Sequence, residues 1–332
     1  MGGTLRLSSL CALLAVVLCV GVGEGAAQTA GPTDLQPAVV LVMPFDVTAG
    51  HASFMVVSRI GDTLLKPAIT THWVFYAADC GHLADLAIGL TENDTIVVDP
   101  TRIQSQTQNP GEPVNTSHGP VIDLTGERGV VIVTAQPPPG VSAVQLIGSW
   151  TIANAGANTA FGANAVGFSS FTLPDPALLA AGGLIIPTFD PSTLDTSEVI
   201  VVGLEQQGDS ITPIARPSAG LGGAHVCCNT AITDTLETVV SVPDVCFACA
   251  LFAPVAPTRI PSDDPPIVPA QTAPASAGTV VLQACRTAGE DGRPARLGEG
   301  GFPQFLVAFH GQAVGPFGVV TAGKYGTPPA DD

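Results

Sequence analysis

Basic side chains are scarce in this chain. It carries 11 Lys and Arg against 28 Asp and Glu, a net charge of −17 at pH 7. A surface so acidic repels nucleic-acid phosphates and anionic lipid, and no basic cluster offsets it, which excludes nucleic-acid binding. Charge of either sign is also sparse at 12 %, while hydrophobic residues make up 46 %, too many for an intrinsically disordered chain. Aromatics are only 5 % of the sequence, too few for the girdles of an outer-membrane barrel. Long apolar runs are missing beyond the N-terminus: the longest later stretch, Ala177–Ile186, contains two glycines and stops at Pro187. That is the length of a buried strand or short helix, not of a bilayer crossing.

What is present begins with an export signal. Arg6 gives a positive start, Leu10–Val22 an apolar run, and Gly25-Ala26-Ala27 the small residues of a cleavage site. Residues 1–27 are read as a signal peptide, with the mature chain starting at Gln28 and secreted to the extracellular space or periplasm. Cys11 and Cys19 lie in the run, each preceded by leucine where lipoprotein processing requires a small residue, so both leave with the peptide. No membrane insertion is expected after cleavage, and the charge balance stays at −17 once Arg6 and Glu24 are lost.

Gly and Pro are abundant, 37 and 30 residues, and suit many short strands joined by tight turns better than long helices. Strand signals recur at short spacing: Val39–Phe45, Ala52–Ile60, His72–Ala77, Leu86–Leu90, Thr95–Asp99, Gly129–Ala135, Ala143–Ile152 and Ala163–Phe168. A second series follows with Glu198–Leu204, Ile211–Ala215, His225–Cys228, Leu236–Val242, Val245–Phe252, Val280–Cys285, Phe305–Gly311 and Phe317–Ala322. The pattern predicts an all-β, antiparallel β-sandwich fold, as one body or two packed sandwich units. The units fall at residues 38–172 and 198–325, joined by a linker or crossover at 173–197, with a proline-rich loop at 254–277 in the second.

Six cysteines remain in the mature chain: Cys80, Cys227, Cys228, Cys246, Cys249 and Cys285. An even number in an exported protein points to disulfides. Neighbours on a strand face opposite ways, so Cys227 and Cys228 need different partners. At least one bridge is expected between this pair and Cys246 or Cys249. The rival chemistry is zinc, since His225-x-Cys227 and Cys246-x-x-Cys249 have metal-like spacing, though an adjacent cysteine pair makes a poor knuckle. Redox chemistry at Cys246-x-x-Cys249 would need a helix N-terminus that the strand pattern does not supply.

Leu146-Ile147-Gly148-Ser149-Trp150, Ala160–Phe168, and Asp234–Val242 followed by Pro243-Asp244-Val245-Cys246 together resemble segments of a group of uncharacterised exported bacterial β-rich proteins. The resemblance implies an exported β fold and no activity. A second likeness is confined to Gly208-Asp209-Ser210-Ile211-Thr212, which resembles the nucleophile block of the GDSL or SGNH hydrolases. In that family the serine sits between a strand and a helix and its base comes from a later Asp-x-x-His. Here Pro213 and Pro217 forbid an immediate helix, and the matching pair, Asp79 and His82, precedes the serine.

No Gly-x-Ser-x-Gly, His-Glu-x-x-His or calcium-loop motif occurs, and the histidines (His51, His72, His82, His118, His225, His310) are scattered. Asn93-Asp94-Thr95 and Asn115-Thr116-Ser117 match the glycan-acceptor rule. Trp73 and Trp150 read as core residues before they read as a sugar-stacking platform. The expectation is therefore a non-enzymatic exported protein of structural or adhesive role, with no cofactor. The alternatives are an SGNH-type hydrolase using Ser210 and a carbohydrate- or metal-binding module.

Overall fold

The computed structural model describes residues 37–61, 68–107, 116–137, 144–155, 159–173, 184–189, 196–234, 239–254, 278–289, 291–297, 304–313 and 323–325. The leader, the Asn115 acceptor, the loop at 255–277 and the strand expected at Phe317–Ala322 lie outside the described residues. The first series of strands is β1 (Val40–Asp46), β2 (His51–Ile60), β3 (Ile69–Ala77), β4 (His82–Leu90), β5 (Thr95–Val98), β6 (Ile103–Thr107), β7 (Thr116–Ile122), β8 (Arg128–Gln136), β9 (Gln145–Asn154), β10 (Thr159–Asn164) and β11 (Val166–Phe168). The second is β12 (Leu184–Phe189), β13 (Thr196–Gln207), β14 (Ser210–Pro213), β15 (Val226–Asp234), β16 (Val239–Phe247), β17 (Ala250–Pro254), β18 (Gly278–Ala288), β19 (Pro294–Arg296), β20 (Gln304–Ala313) and β21 (Gly323–Tyr325). The fold is all-β, as expected, and the only helical element among the described residues is a short 3₁₀ turn at Ala219–Leu221.

Four sheets result. A seven-stranded sheet runs β11-β1-β8-β3-β4-β6-β7 and a four-stranded one β10-β9-β2-β5. The second series forms β12-β18-β15-β16, with β19 beside β18, and β14-β13-β20-β21, with β17 beside β13. All pairings are antiparallel except a single contact between β4 and β6. The segment at 173–197 supplies β12, which joins the sheet of β18, and the first residues of β13.

The first two sheets bury alternate residues against each other. On β3, Trp73 and Phe75 face inward, Trp73 donating its indole N–H to Thr71 Oγ1 at 2.8 Å, and Phe45 meets Phe75 edge-on at 5.5 Å between ring centroids. Strand β1 shows no alternation and is buried along its whole length, as a central strand covered on both faces requires.

The same holds for residues 199–206 of β13 and 304–309 of β20, strands that pair from Thr196↔Ala313 to Glu205↔Gln304. Ile200, Val202, Leu204, Phe305, Val307 and Phe309 belong to the core of the first series. Val199, Val201, Leu306 and Ala308 belong to a second core with Val226, Cys228, Ile232, Val280 and Leu282. One strand pair is thus a wall common to both cores. Phe309 meets Trp150 at 5.3 Å and Phe168 meets Phe305 at 5.8 Å, both edge-on. Gln206 adds polar ties: its Oε1 accepts the Leu173 N–H at 2.8 Å and its Nε2 donates to the Phe171 carbonyl at 2.9 Å.

Turn chemistry is repetitive. In Asp46-Val47-Thr48, Asp99-Pro100-Thr101 and Asp123-Leu124-Thr125 the carboxylate accepts both the backbone N–H and the hydroxyl two residues on. At Gly129 a side chain is impossible, because an added Cβ would fall 1.9 Å from the Tyr76 carbonyl oxygen on the neighbouring strand.

Two strand expectations need correction. Val245–Phe252 is not one strand: β16 ends at Phe247 and β17 begins at Ala250 in a different sheet, so the chain changes sheets through Ala248-Cys249. Ala163–Phe168 likewise divides at Ala165 between β10 and β11, crossing from one sheet to the other. β6 and β7 carry too few apolar residues to show in a hydrophobic pattern.

Because β20 serves both cores, Phe309→Ala on one face and Leu306→Ala on the other should each destabilise the whole chain, by about 3–5 and about 2–5 kcal/mol. Denaturant unfolding followed by both tryptophan fluorescence and circular dichroism should show one transition moving in each variant. Two separable transitions, each sensitive to one substitution, would contradict a common wall.

Candidate functional site

All six described cysteines are bridged, and their pairing follows from strand register. Cys227 and Cys246 lie directly opposite each other on β15 and β16 and form one disulfide. Cys228 bonds to Cys285 on β18, the neighbour on the other side. Register shifts there, Cys227↔Arg286 being followed by Asn229↔Gln283, so that Ala284 is an extra residue at φ 48° and Cys285 stands opposite Cys228. As the alternation of a strand dictates, the two bridges leave opposite faces of β15. Cys228 and Cys285 are buried in the second core, whereas Cys246 is exposed. The expected link between the Cys227/Cys228 pair and Cys246/Cys249 is present as Cys227–Cys246.

The third bridge, Cys80–Cys249, spans 169 residues and joins the two strand series. Cys80 sits in the β3–β4 hairpin. Its N–H donates to the Ala77 carbonyl at 2.9 Å, and the Ala77 N–H to the Gly81 carbonyl at 2.8 Å, a three-residue loop ending in a left-handed residue. That left-handed position, normally glycine, is Cys80 itself at φ 76°. A non-glycine residue held there costs on the order of 1–3 kcal/mol and persists only where its surroundings over-determine it. The surroundings do so here: the Ala78 carbonyl accepts both the Cys249 N–H at 3.1 Å and the Ala250 N–H at 3.2 Å. The Arg128 guanidinium adds a cation–π contact, lying 5.4 Å from the centroid of Phe252 on β17.

His225 completes the junction. Its side chain is buried, and its Nδ1 donates to the Ile214 carbonyl at 2.7 Å while lying 3.1 Å from Cys80 Sγ. The Ile214 oxygen is in turn 3.3 Å from Cys80 Sγ and 3.8 Å from Cys249 Sγ. The ligand atoms of Cys80, His225 and Cys249 all lie within 4.8 Å of one another. Gly203 on β13 organises this point, its N–H donating to the Cys249 carbonyl and its own carbonyl accepting from the Ile214 N–H, at 3.1 and 3.0 Å. The metal spacing of the sequence therefore does not assemble as read. Cys227 and Cys246 are bonded to each other, and His225 groups instead with Cys80 and Cys249. Nothing in the sequence pairs Cys80 with His225, 145 positions apart.

Ser210, Asp79 and His82 each occupy a different turn or strand end. Ser210 is the first residue of β14, opposite Gln207 across a two-residue hairpin in which Gly208 has φ 58°, and a strand follows it, not a helix. Asp79 accepts the Gly81 N–H at 2.9 Å, and His82 Nε2 lies 2.9 Å from Asp85. Among the described residues no hydrogen bond joins Ser210 to either. Asp85 also holds His72 Nε2 at 3.1 Å. Burial, and secondarily the Asp85 carboxylate, push the Tyr76 phenol up. Trp73 and Trp150 are both fully buried, so neither offers a stacking face. Asn93 is exposed in the β4–β5 turn at φ 62°.

Comparison of the chain with protein-family profiles, curated proteins and solved structures finds no match in any of the three.

Loop length ranks the bridges. In the chain-entropy account, closing the 169-residue separation of Cys80–Cys249 contributes about 5 kcal/mol and the 19-residue separation of Cys227–Cys246 about 3 kcal/mol. Urea unfolding should therefore find the Cys80→Ser/Cys249→Ser double variant less stable than Cys227→Ser/Cys246→Ser. The reverse order would contradict the entropic account of the junction bridge.

Proposed function

We propose that this is an exported, non-catalytic β-sandwich protein with a structural or adhesive role at the cell surface or outside the cell. The observation that carries the reading is the set of three disulfides, which suits an oxidising compartment and matches the leader at residues 1–27. The bridges cross-link strands within one sheet and also tie the two strand series together, the reinforcement expected of a protein that must survive outside the cell. The acidic surface supports solubility there, and the likeness to exported bacterial proteins supports the same location. Asp79 and His82 are each engaged locally, with the Gly81 N–H and Asp85, and Ser210 opens β14 opposite Gln207, an arrangement that favours the non-catalytic reading over hydrolysis.

Two measurements on exported material test this together. N-terminal sequencing of protein recovered outside the cytoplasm should begin at Gln28, and thiol titration should find no free cysteine. A chain retained in the cytoplasm with Met1 intact would overturn the location. Purified protein should show no turnover of short-chain nitrophenyl esters, and Ser210→Ala should change nothing. Ester hydrolysis abolished by Ser210→Ala would replace this reading with the hydrolase.

A further inference from the structure

Cys80, Cys249, His225 and the Ile214 carbonyl bring four donor atoms together at the junction of the two strand series. We propose that these residues form a reduction-gated site for a soft or borderline divalent metal, zinc being the best fit, which takes the place of the Cys80–Cys249 disulfide when that bridge is open. The proposal goes beyond the structural role above and does not depend on it.

The argument is geometric. Zinc–sulfur bonds of about 2.3 Å and zinc–nitrogen or –oxygen bonds of about 2.0–2.2 Å imply donor separations of roughly 3.3–3.8 Å around a tetrahedral ion. The Ile214 oxygen already lies 3.3 Å from Cys80 Sγ and 3.8 Å from Cys249 Sγ. His225 Nδ1 is 3.1 Å from Cys80 Sγ and 2.7 Å from that oxygen. To admit an ion the two sulfurs must part and His225 Nδ1 must draw back from the Ile214 oxygen and from Cys80 Sγ by roughly half an ångström, to the separations of a tetrahedral zinc site.

Burial and charge agree with the geometry. Cys249 is fully buried and His225 nearly so. Two thiolates, a neutral imidazole and a carbonyl around a divalent ion leave no net charge to bury. The donors come from four chain segments fixed by other contacts: the β3–β4 hairpin by Ala78, the Ile214 strand end by Gly203, His225 by its N–H to the Phe247 carbonyl at 2.9 Å, and Cys249 by its position between β16 and β17.

The chemistry balances with a dithiol reductant as co-reactant. Two electrons from the dithiol break the Sγ–Sγ bond, each sulfur becomes a thiol, and the dithiol closes to its own disulfide. Metal binding then releases the two thiol protons. The His225 proton moves from Nδ1 to Nε2, so the Nδ1 lone pair faces the ion and the Ile214 carbonyl, losing its donor, turns to the same ion. A newly made chain reaches the same thiol state before the bridge has closed.

The test uses the full chain, reduced with a phosphine and titrated with cobalt(II) as a spectroscopic probe. One equivalent should give a thiolate-to-cobalt charge-transfer band with tetrahedral ligand-field bands, all abolished by zinc. The oxidised chain should give none. In peptide mapping, zinc should slow the alkylation of Cys80 and Cys249 relative to the zinc-free reduced chain, and should leave the rates at exposed Cys246 and at buried Cys227, Cys228 and Cys285 unchanged. His225→Gln should weaken cobalt binding about a hundredfold, at least the loss expected when an outer-shell partner is removed. Where reduction costs the chain its β circular dichroism, added zinc should restore it. Absence of a cobalt–thiolate band, a band unchanged by His225→Gln, protection falling on the cysteines of β15, β16 and β18, or an unfolded reduced chain that zinc does not rescue would each overturn the proposal. Should the glutamine variant fail to fold, the protection map of the unsubstituted chain decides.

Discussion

The pairing of β13 with β20 is the constraint on which the rest of the structure depends. A strand covered on both faces must be apolar throughout, and Val199–Val202 and Phe305–Phe309 meet that demand without a polar interruption. Sending alternate side chains to two different cores makes each core's packing a condition of the other's. The edge contacts of Phe309 with Trp150 and of Phe305 with Phe168 anchor the wall on one side. Gln304 anchors it on the other, donating to Thr287 Oγ1 on β18 at 2.9 Å.

The disulfides act on top of that packing at two scales. Within one sheet, β15 is stapled to both of its neighbours, one bridge on each face, so neither β16 nor β18 can slip in register. Between the strand series, Cys80–Cys249 fixes the β3–β4 hairpin against the end of β17, where the Ala78 carbonyl already accepts two N–H groups. That junction also gathers chemistry among the described residues, since it brings a buried imidazole and a backbone carbonyl against two sulfurs. Covalent reinforcement and latent ligand set share one location because both need donors from distant segments held rigidly together.

Much of the fold was legible in the sequence. The leader aside, the β class followed from proline and glycine punctuating short apolar runs. The opposed directions of Cys227 and Cys228 followed from strand geometry alone. The break at Ala248-Cys249 was hidden because Val245–Phe252 is apolar enough to read as continuous, and only the change of sheet shows that Cys249 belongs elsewhere. The GDSIT segment, which resembles a nucleophile block, forms a hairpin in which a Gly-Asp pair turns β13 into β14. The grouping of Cys80, His225 and Ile214 left no trace in the sequence, because tertiary convergence across more than a hundred positions has no local spacing to reveal it. The spacing that did look metal-like, His225 with Cys227, fails for the same local reason that the bridges succeed: Cys227 faces Cys246 across the ladder.

Native-state hydrogen exchange, read residue by residue under mild denaturant, tests the common wall most directly. The amides of β13 and β20 should exchange only through global unfolding, with the same opening free energy as β1 and β8 of the first core and β15 of the second. If β15 and β18 opened at distinctly lower free energy while β13 and β20 stayed protected, the two cores would be independent and the central claim would fail.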